Sequence, residues 1–260
     1  MSFQRKITAI ILLLSWLMGS IGASRSEAAG ISKDAALERL VKAGLQYKDG
    51  HYAEAIKLYE EIIDGGWAGG PLYYNLGNSY FKKGALGKAI LNYERARRLL
   101  PRDHDLAANY RYALSLVKNP PSAVGKSIWQ SGVRRFVEFY SVDEMTLLVS
   151  ILGGLTGVLY LCSLYFYWPP QRRIRILVPL GILLFVYAAG FMSKLQSQRD
   201  QAVVTASTPA KFEPRAEATA YFELSEGEVV KVLKVDGVWV KIERPDEKAG
   251  WVLSADLEKI

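Results

Sequence analysis

The sequence predicts a multidomain membrane protein built from an all-α helical repeat array, a two-helix transmembrane hairpin and a small all-β barrel. Three observations predict it. The 260-residue chain is 50% hydrophobic, and the apolar content gathers at the N-terminus and between Met145 and Met192. Residues 32–118 repeat themselves at a fixed interval. Residues 201–260 alternate apolar and polar side chains in short runs separated by turn residues.

Arg5 and Lys6 precede an apolar run from Ile7 to Met18 and then small residues, the pattern of an export signal over residues 1–28. Cleavage after Ala23 or Ala28 and retention as an uncleaved anchor both fit, and either delivers the next segment outside the cytoplasm. No cysteine stands near the cleavage region, which excludes a lipoprotein signal.

In the helical segment, Ala43, Gly50, Ala55 and Tyr59 return 34 residues later as Gly77, Gly84, Ala89 and Tyr93. That interval is the period of the tetratricopeptide helix-turn-helix unit. The second copy is the fuller one: Tyr73, Leu76-Gly77, Tyr80, Gly84, Ala89, Tyr93, Ala96 and Pro101. Small residues stand where antiparallel helices approach, and tyrosines fill the space between them. Gly84 supplies a left-handed helix end, and Pro101 stops the second helix. The first copy is degenerate. Arg39 and Gln46 replace aromatic positions, and Gly65-Gly66 ends its second helix early. A final helix from His104 to Lys118 covers the open apolar face, so residues 32–118 are expected to hold two repeats and a capping helix.

Residues 122–141 carry Trp129, Val133, Phe136, Val137 and Tyr140 at helical spacing, with Lys126, Arg134 and Arg135 between them. An amphipathic helix on the membrane surface and a helix packed on the repeats both fit. Ser141-Val142-Asp143-Glu144 is a capping box. It opens the first span, 145–168, which is long enough to cross a bilayer and ends in Tyr165, Tyr167 and Trp168. A tight polar turn at Pro169–Arg173 precedes the second span, 174–193. Arg172, Arg173 and Arg175 in so short a loop place it in the cytoplasm, with both flanks outside. The expected location is the bacterial inner membrane, multi-pass, with both folded modules extracytoplasmic. Gly153 and Gly157 form a small-xxx-small pair that suits close helix packing or simple helix composition.

The net charge of +7 comes from 33 basic and 26 acidic residues scattered along the chain, which points away from nucleic acid. Arg95, Arg97, Arg98 and Arg102 read as the basic last turn of a helix. One cysteine, Cys162, and two histidines, His51 and His104, leave no metal cluster or nucleophilic triad. No cofactor and no catalytic residue are expected.

Candidate binding residues follow from the repeat. Tyr74, Asn75, Asn78, Phe81 and Lys82 are expected to face a concave groove, joined by Asn109 and Tyr112 from the capping helix. Asparagine amides suit an extended peptide backbone, and Lys82 suits a carboxylate. A full carboxylate clamp is not expected, because Leu40 and Gly44 stand where it would need Lys and Asn. In the β region, Asp236-Gly237 marks a hairpin. Trp239 and Trp251 are either ligand platforms or core, with at least one expected in the core.

Leu224-Ser-Glu-Gly227, Val238-Trp239-Val240 and Gly250-Trp251-Val252 resemble a bacterial SH3-like domain over 201–260. The order of signal, short array containing YYNLGNSYFKKG, hairpin and SH3-like tail resembles the BatE type of the Bacteroides aerotolerance (Bat) operons. That resemblance implies a scaffold or adaptor in stress tolerance or envelope maintenance. Its implied partners are other membrane proteins, von Willebrand factor A-domain proteins among them, and a MoxR-type ATPase. Bacterial SH3-like domains further imply peptidoglycan as a ligand.

Overall fold

The computed structural model describes residues 30–118 and 137–260. The signal segment, and the linker residues Trp129, Val133 and Phe136, lie outside the described residues.

Five helices form the array: α1 (Lys33–Lys48), α2 (Tyr52–Asp64), α3 (Gly70–Lys83), α4 (Leu86–Leu99) and α5 (His104–Ser115). Local chemistry sets their ends. The Ser32 hydroxyl accepts from the Ala35 amide at 3.2 Å, and the Asp103 carboxylate accepts from the Leu106 amide at 2.9 Å. Gly84 ends α3 at φ 84°, in the left-handed region that glycine enters freely. Ala55, Tyr59, Leu76, Ala89, Tyr93 and Ala96 are buried, as the 34-residue pattern requires. The degenerate first repeat has its own solution. Arg39, standing where an aromatic residue is expected, pairs with Glu61 of α2 at 3.3 Å.

Two longer helices follow, α6 (Val142–Tyr165) and α7 (Pro170–Arg199), each long and apolar enough to cross a membrane. Both halves of the capping box are formed at Ser141 and Glu144. The polar turn is shorter than expected. The helix begins at Pro170, since proline suits a first turn whose amides are unpaired anyway. Arg172, Arg173 and Arg175 therefore lie in the first turns of α7 rather than in a loop. Arg173 donates to the Trp168 carbonyl at 3.2 Å, and Arg172 lies over the Trp168 ring. At its other end α7 runs past Met192 to Arg199, because Ser193–Arg199 is as helix-compatible as the apolar stretch before it. There Lys194 donates to the carbonyls of Val137 and Tyr140, and Arg102 of the array pairs with Glu144 of α6.

The C-terminal region is a seven-stranded antiparallel sheet: β1 (Gln201–Val204), β2 (Thr208–Lys211), β3 (Ala220–Leu224), β4 (Val229–Asp236), β5 (Trp239–Glu243), β6 (Ala249–Leu253) and β7 (Leu257–Lys259). Its order is β3-β2-β6-β5-β4-β1-β7, with β3 and β7 at its two edges and not paired with each other, so the expected barrel is not closed. The edge at β7 is occupied by the array instead. Arg95 of α4 donates to the Lys259 carbonyl at 2.8 Å and pairs with Glu258 at 3.1 Å. Arg98 donates to the Ile260 carbonyl at 2.9 Å. In the β4–β5 hairpin, Gly237 has φ 59° as the first of two loop residues between Asp236 and Trp239.

Array and sheet share packing. Val203 belongs to the array's buried cluster, and Glu226 accepts from the Gly87 amide at 2.7 Å. Gly227 has φ 90°, in the left-handed region that favours glycine, and a Cβ there would come within 2.6 Å of the Ile90 terminal methyl. Arg95 and Arg98, read from sequence as a helix-end cluster, thus act as the bolts of a module interface. Changing both to alanine should speed amide exchange in β1 and β7 about tenfold, from loss of charge-assisted bonds, with the array's own exchange unaltered. Hydrogen exchange read by mass spectrometry checks this, and unchanged protection of β1 and β7 counts against it.

Candidate binding groove and sheet face

On α3, Tyr74, Asn78 and Phe81 follow one another at helical spacings of four and three, which puts them on one face. Helix α5 runs opposite, held by the Asp103 cap and by burial of Leu106 and Ala113. The two helices meet through polar side chains. Asn109 Nδ2 donates to the Tyr74 hydroxyl at 2.9 Å and to Asn78 Oδ1 at 3.0 Å. The Tyr93 hydroxyl donates to the same Asn78 oxygen at 2.8 Å. Two donors on Oδ1 fix the Asn78 amide so that its NH₂ points away from them. Phe81 and Tyr112 pack with ring centroids 5.7 Å apart, and Tyr112 is 59% exposed.

The expected site thus divides into three. Tyr74, Asn78, Phe81, Asn109 and Tyr112 form one cluster between α3 and α5. Asn75 faces the other way, into an apolar pocket with Leu37, Leu40, Trp67 and Leu72 between α1 and α3. Lys82 is exposed at the rim. Tyr93, read from sequence as core filler, belongs to the network as well. Its ring is buried, which raises its pKa, and the neighbouring Tyr74 and Tyr47 hydroxyls raise it further. It therefore stays a neutral donor through the physiological range. The cluster offers amide and phenol groups beside the exposed Tyr112 ring, the partly buried Phe81 ring and the exposed Lys82 ammonium. That inventory suits an extended peptide segment: the amides can bond a backbone, and the rings can take a side chain.

Below α5, Tyr110 donates to Glu94, and Arg97 pairs with the same carboxylate at 2.8 Å. Burial is the largest influence on Tyr110 and raises its pKa, and the Glu94 charge raises it further. This buried ionic set holds α5 on α4 and so positions Asn109.

Both sheet candidates lie on one face. Lys241 stands opposite Trp251, and Leu253 opposite Trp239, whereas Val240, Ile242 and Val252 turn the other way into the core. The indoles are diagonal neighbours. Trp239 is half-buried beneath Lys211, whose Nζ lies 5.6 Å from its ring centroid. Trp251 is 9% exposed, with Lys234 at 5.8 Å. A second aromatic pair went unread in the sequence: Phe212 and Tyr221 stack at 4.5 Å and are 59% and 46% exposed. Both flank the β2–β3 excursion, which Pro209 hides from a strand pattern.

Among the described residues, no group of three or more His, Cys, Asp or Glu side chains could hold a metal ion. Comparison with known families matches residues 70–103 to the tetratricopeptide repeat and residues 212–258 to the bacterial SH3 domain. No curated protein matches the chain. The first match spans α3 and α4 and contains Tyr74 to Lys82. The second contains Trp239 and Trp251 and leaves out β1, the strand that packs on α4. Modules of these two kinds point to protein–protein interaction and to cell-wall binding.

Proposed function

We propose that the chain is a non-catalytic, membrane-anchored scaffold that holds an extended segment of another membrane protein in the α3–α5 groove. The observation that supports this most is the Tyr74–Asn109–Asn78–Tyr93 network, which fixes the Asn78 amide on the α3 face that also carries Phe81, itself packed on Tyr112. In this reading α6 and α7 anchor the chain in the bacterial inner membrane, and array and sheet both stand outside the cytoplasm. The resemblance to the BatE type supports partners of the von Willebrand factor A-domain kind and a role in a Bat-type envelope or stress-tolerance complex.

The test is affinity capture of the full chain from mild detergent extracts. Other membrane proteins should be recovered, and Asn78→Ala with Lys82→Ala should reduce them about tenfold, as expected for two polar contacts of roughly 0.7 kcal/mol each. Recovery of the chain alone in several detergents would sink the scaffold reading. Topology has a separate check. Reporter fusions at Gln171 and Ile260 should give opposite compartments.

The sheet face favours a second reading, cell-wall binding. Exposed Phe212 and Tyr221, stacked on one another, offer a ring platform to sugars or peptide stems. The detergent-solubilised full chain should then sediment with purified sacculi, and Phe212→Ala with Tyr221→Ala should release it.

A further inference from the structure

The outer face of α1 carries an apolar stripe, open at Val41 and Leu45 and bordering at Leu37 the pocket shared with α3. Leu37 is 50% exposed, Val41 64% and Leu45 54%. The internal repeat says what such a face is for. Thirty-four residues on, the equivalent positions are Pro71, Asn75 and Ser79. Pro71 and Asn75 line the pocket against α1, and Ser79 is fully buried. In the second repeat, then, this face meets the preceding repeat. In the first repeat no earlier repeat exists among the described residues, and apolar side chains stand where a terminal repeat would ordinarily be polar.

The stripe is self-complementary. Asp34, Leu37, Val41, Leu45 and Lys48 follow one another at spacings of three, four, four and three. The set is symmetric about Val41, and its two ends carry opposite charge. Laid antiparallel on a second α1 with the two-fold axis at Val41, Val41 meets its own counterpart and Leu37 meets Leu45. Asp34 meets Lys48 at both ends, about 10 Å from the axis at 1.5 Å per residue. Asp34 and Lys48 are exposed and free to pair in this way.

We propose that the outer face of α1 is a homodimer interface, taking α1 of a second copy of this chain in an isologous antiparallel pair. Three apolar residues per copy bury far less than a standard interface. The pair is weak in dilute solution and is reinforced when both copies share one membrane. The interface leaves the Tyr74–Asn78–Asn109 cluster uncovered, and its failure would leave the scaffold reading intact.

The full chain in nanodiscs or mild detergent, in a Cys162→Ala background, tests this directly. Val41→Cys places two thiols on the axis, and mild oxidation should give a disulfide-linked dimer at least about tenfold more readily than Lys57→Cys on α2, the ratio effective concentration allows. Asp34→Lys should weaken association about fivefold, as two exposed pairs reversed to like charge. Adding Lys48→Asp should restore it, which a purely local effect on α1 would not do. Leu45→Lys should abolish cross-linking while helical content is unchanged. Cross-linking of Val41→Cys no faster than the α2 control would overturn the proposal. So would an Asp34→Lys defect that Lys48→Asp leaves unrepaired, the result expected if residues before α1 or another protein cover the stripe.

Discussion

Gly77→Val should collapse the repeat array, lowering its melting transition by more than about 10 °C, as about 3 kcal/mol does in a domain of this size. A Cβ at position 77 would lie 2.7 and 2.8 Å from the Tyr93 ring and 3.3 Å from the Ala89 carbonyl oxygen. The ring has nowhere to go: it is 1% exposed, and its hydroxyl is tied to Asn78. The clash must push α3 away from α4 at the point where the two helices cross. The groove should be lost with it, since Asn78 and Tyr93 lie on the two helices that separate. Gly44→Ala on α1 is the matched control. Its Cβ meets nothing within 4 Å, so replacing a mid-helix glycine there should stabilise by about 0.5–1 kcal/mol. Thermal melts by circular dichroism compare the two. A Gly77→Val protein melting with the unaltered chain would mean that α3 and α4 do not pack through this contact.

The same residues show what was legible in the sequence. The array was readable because its packing is periodic: small residues at helix crossings and tyrosines between them recur at one interval, and the interval is visible without coordinates. Arg39 was legible only as a defect, because its partner Glu61 lies on the other helix and no pattern links an arginine to a glutamate 22 residues away. The groove was half legible. Helical spacing put Tyr74, Asn78 and Phe81 on one face, but the same reasoning enrolled Asn75, which α1 draws to the other side. The sheet suffered from the local chemistry of Pro209, which removes an amide from β2 and breaks the strand pattern. The docking of β7 was not legible at all, because Arg95 and Arg98, which meet it, stand more than 150 residues earlier in the chain.

That interface changes the meaning of two modules on one anchor. A turn of the SH3-like sheet, Ser225–Glu228, is built into the array through Glu226 on the Gly87 amide and Gly227 against Ile90 and Val117. The array is tied to α6 by Arg102 and Glu144. Sheet and array are therefore packed on one another through α4.

Arg244→Ala should be the most damaging single change in the sheet, by about 3–5 kcal/mol, because it leaves a buried carboxylate without its cation. The Glu228 side chain is 1% exposed, and Arg244 reaches it at 3.2 Å with its guanidinium over the Phe222 ring. Glu228 also accepts from the Ser225 amide at 2.7 Å, so it shapes the very turn that docks on α4. Burial already lifts the Glu228 pKa above the ordinary carboxylate range, against the downward pull of the Ser225 amide and Arg244. Without Arg244 it should rise further. The sign of the pH effect follows. With the folded pKa above the unfolded one, the folded state holds the proton longer, so stability falls as pH rises from the unfolded carboxylate pKa through the folded one. The gap in melting temperature between Arg244→Ala and the unaltered chain should therefore be small near about pH 4 and wide near about pH 7. Adding Glu228→Gln should close most of that gap and remove its pH dependence. A gap equal at both pH values would show that Arg244 stabilises through its stacking on Phe222 instead, and Arg244→Met, which keeps apolar bulk over that ring, would then restore the sheet.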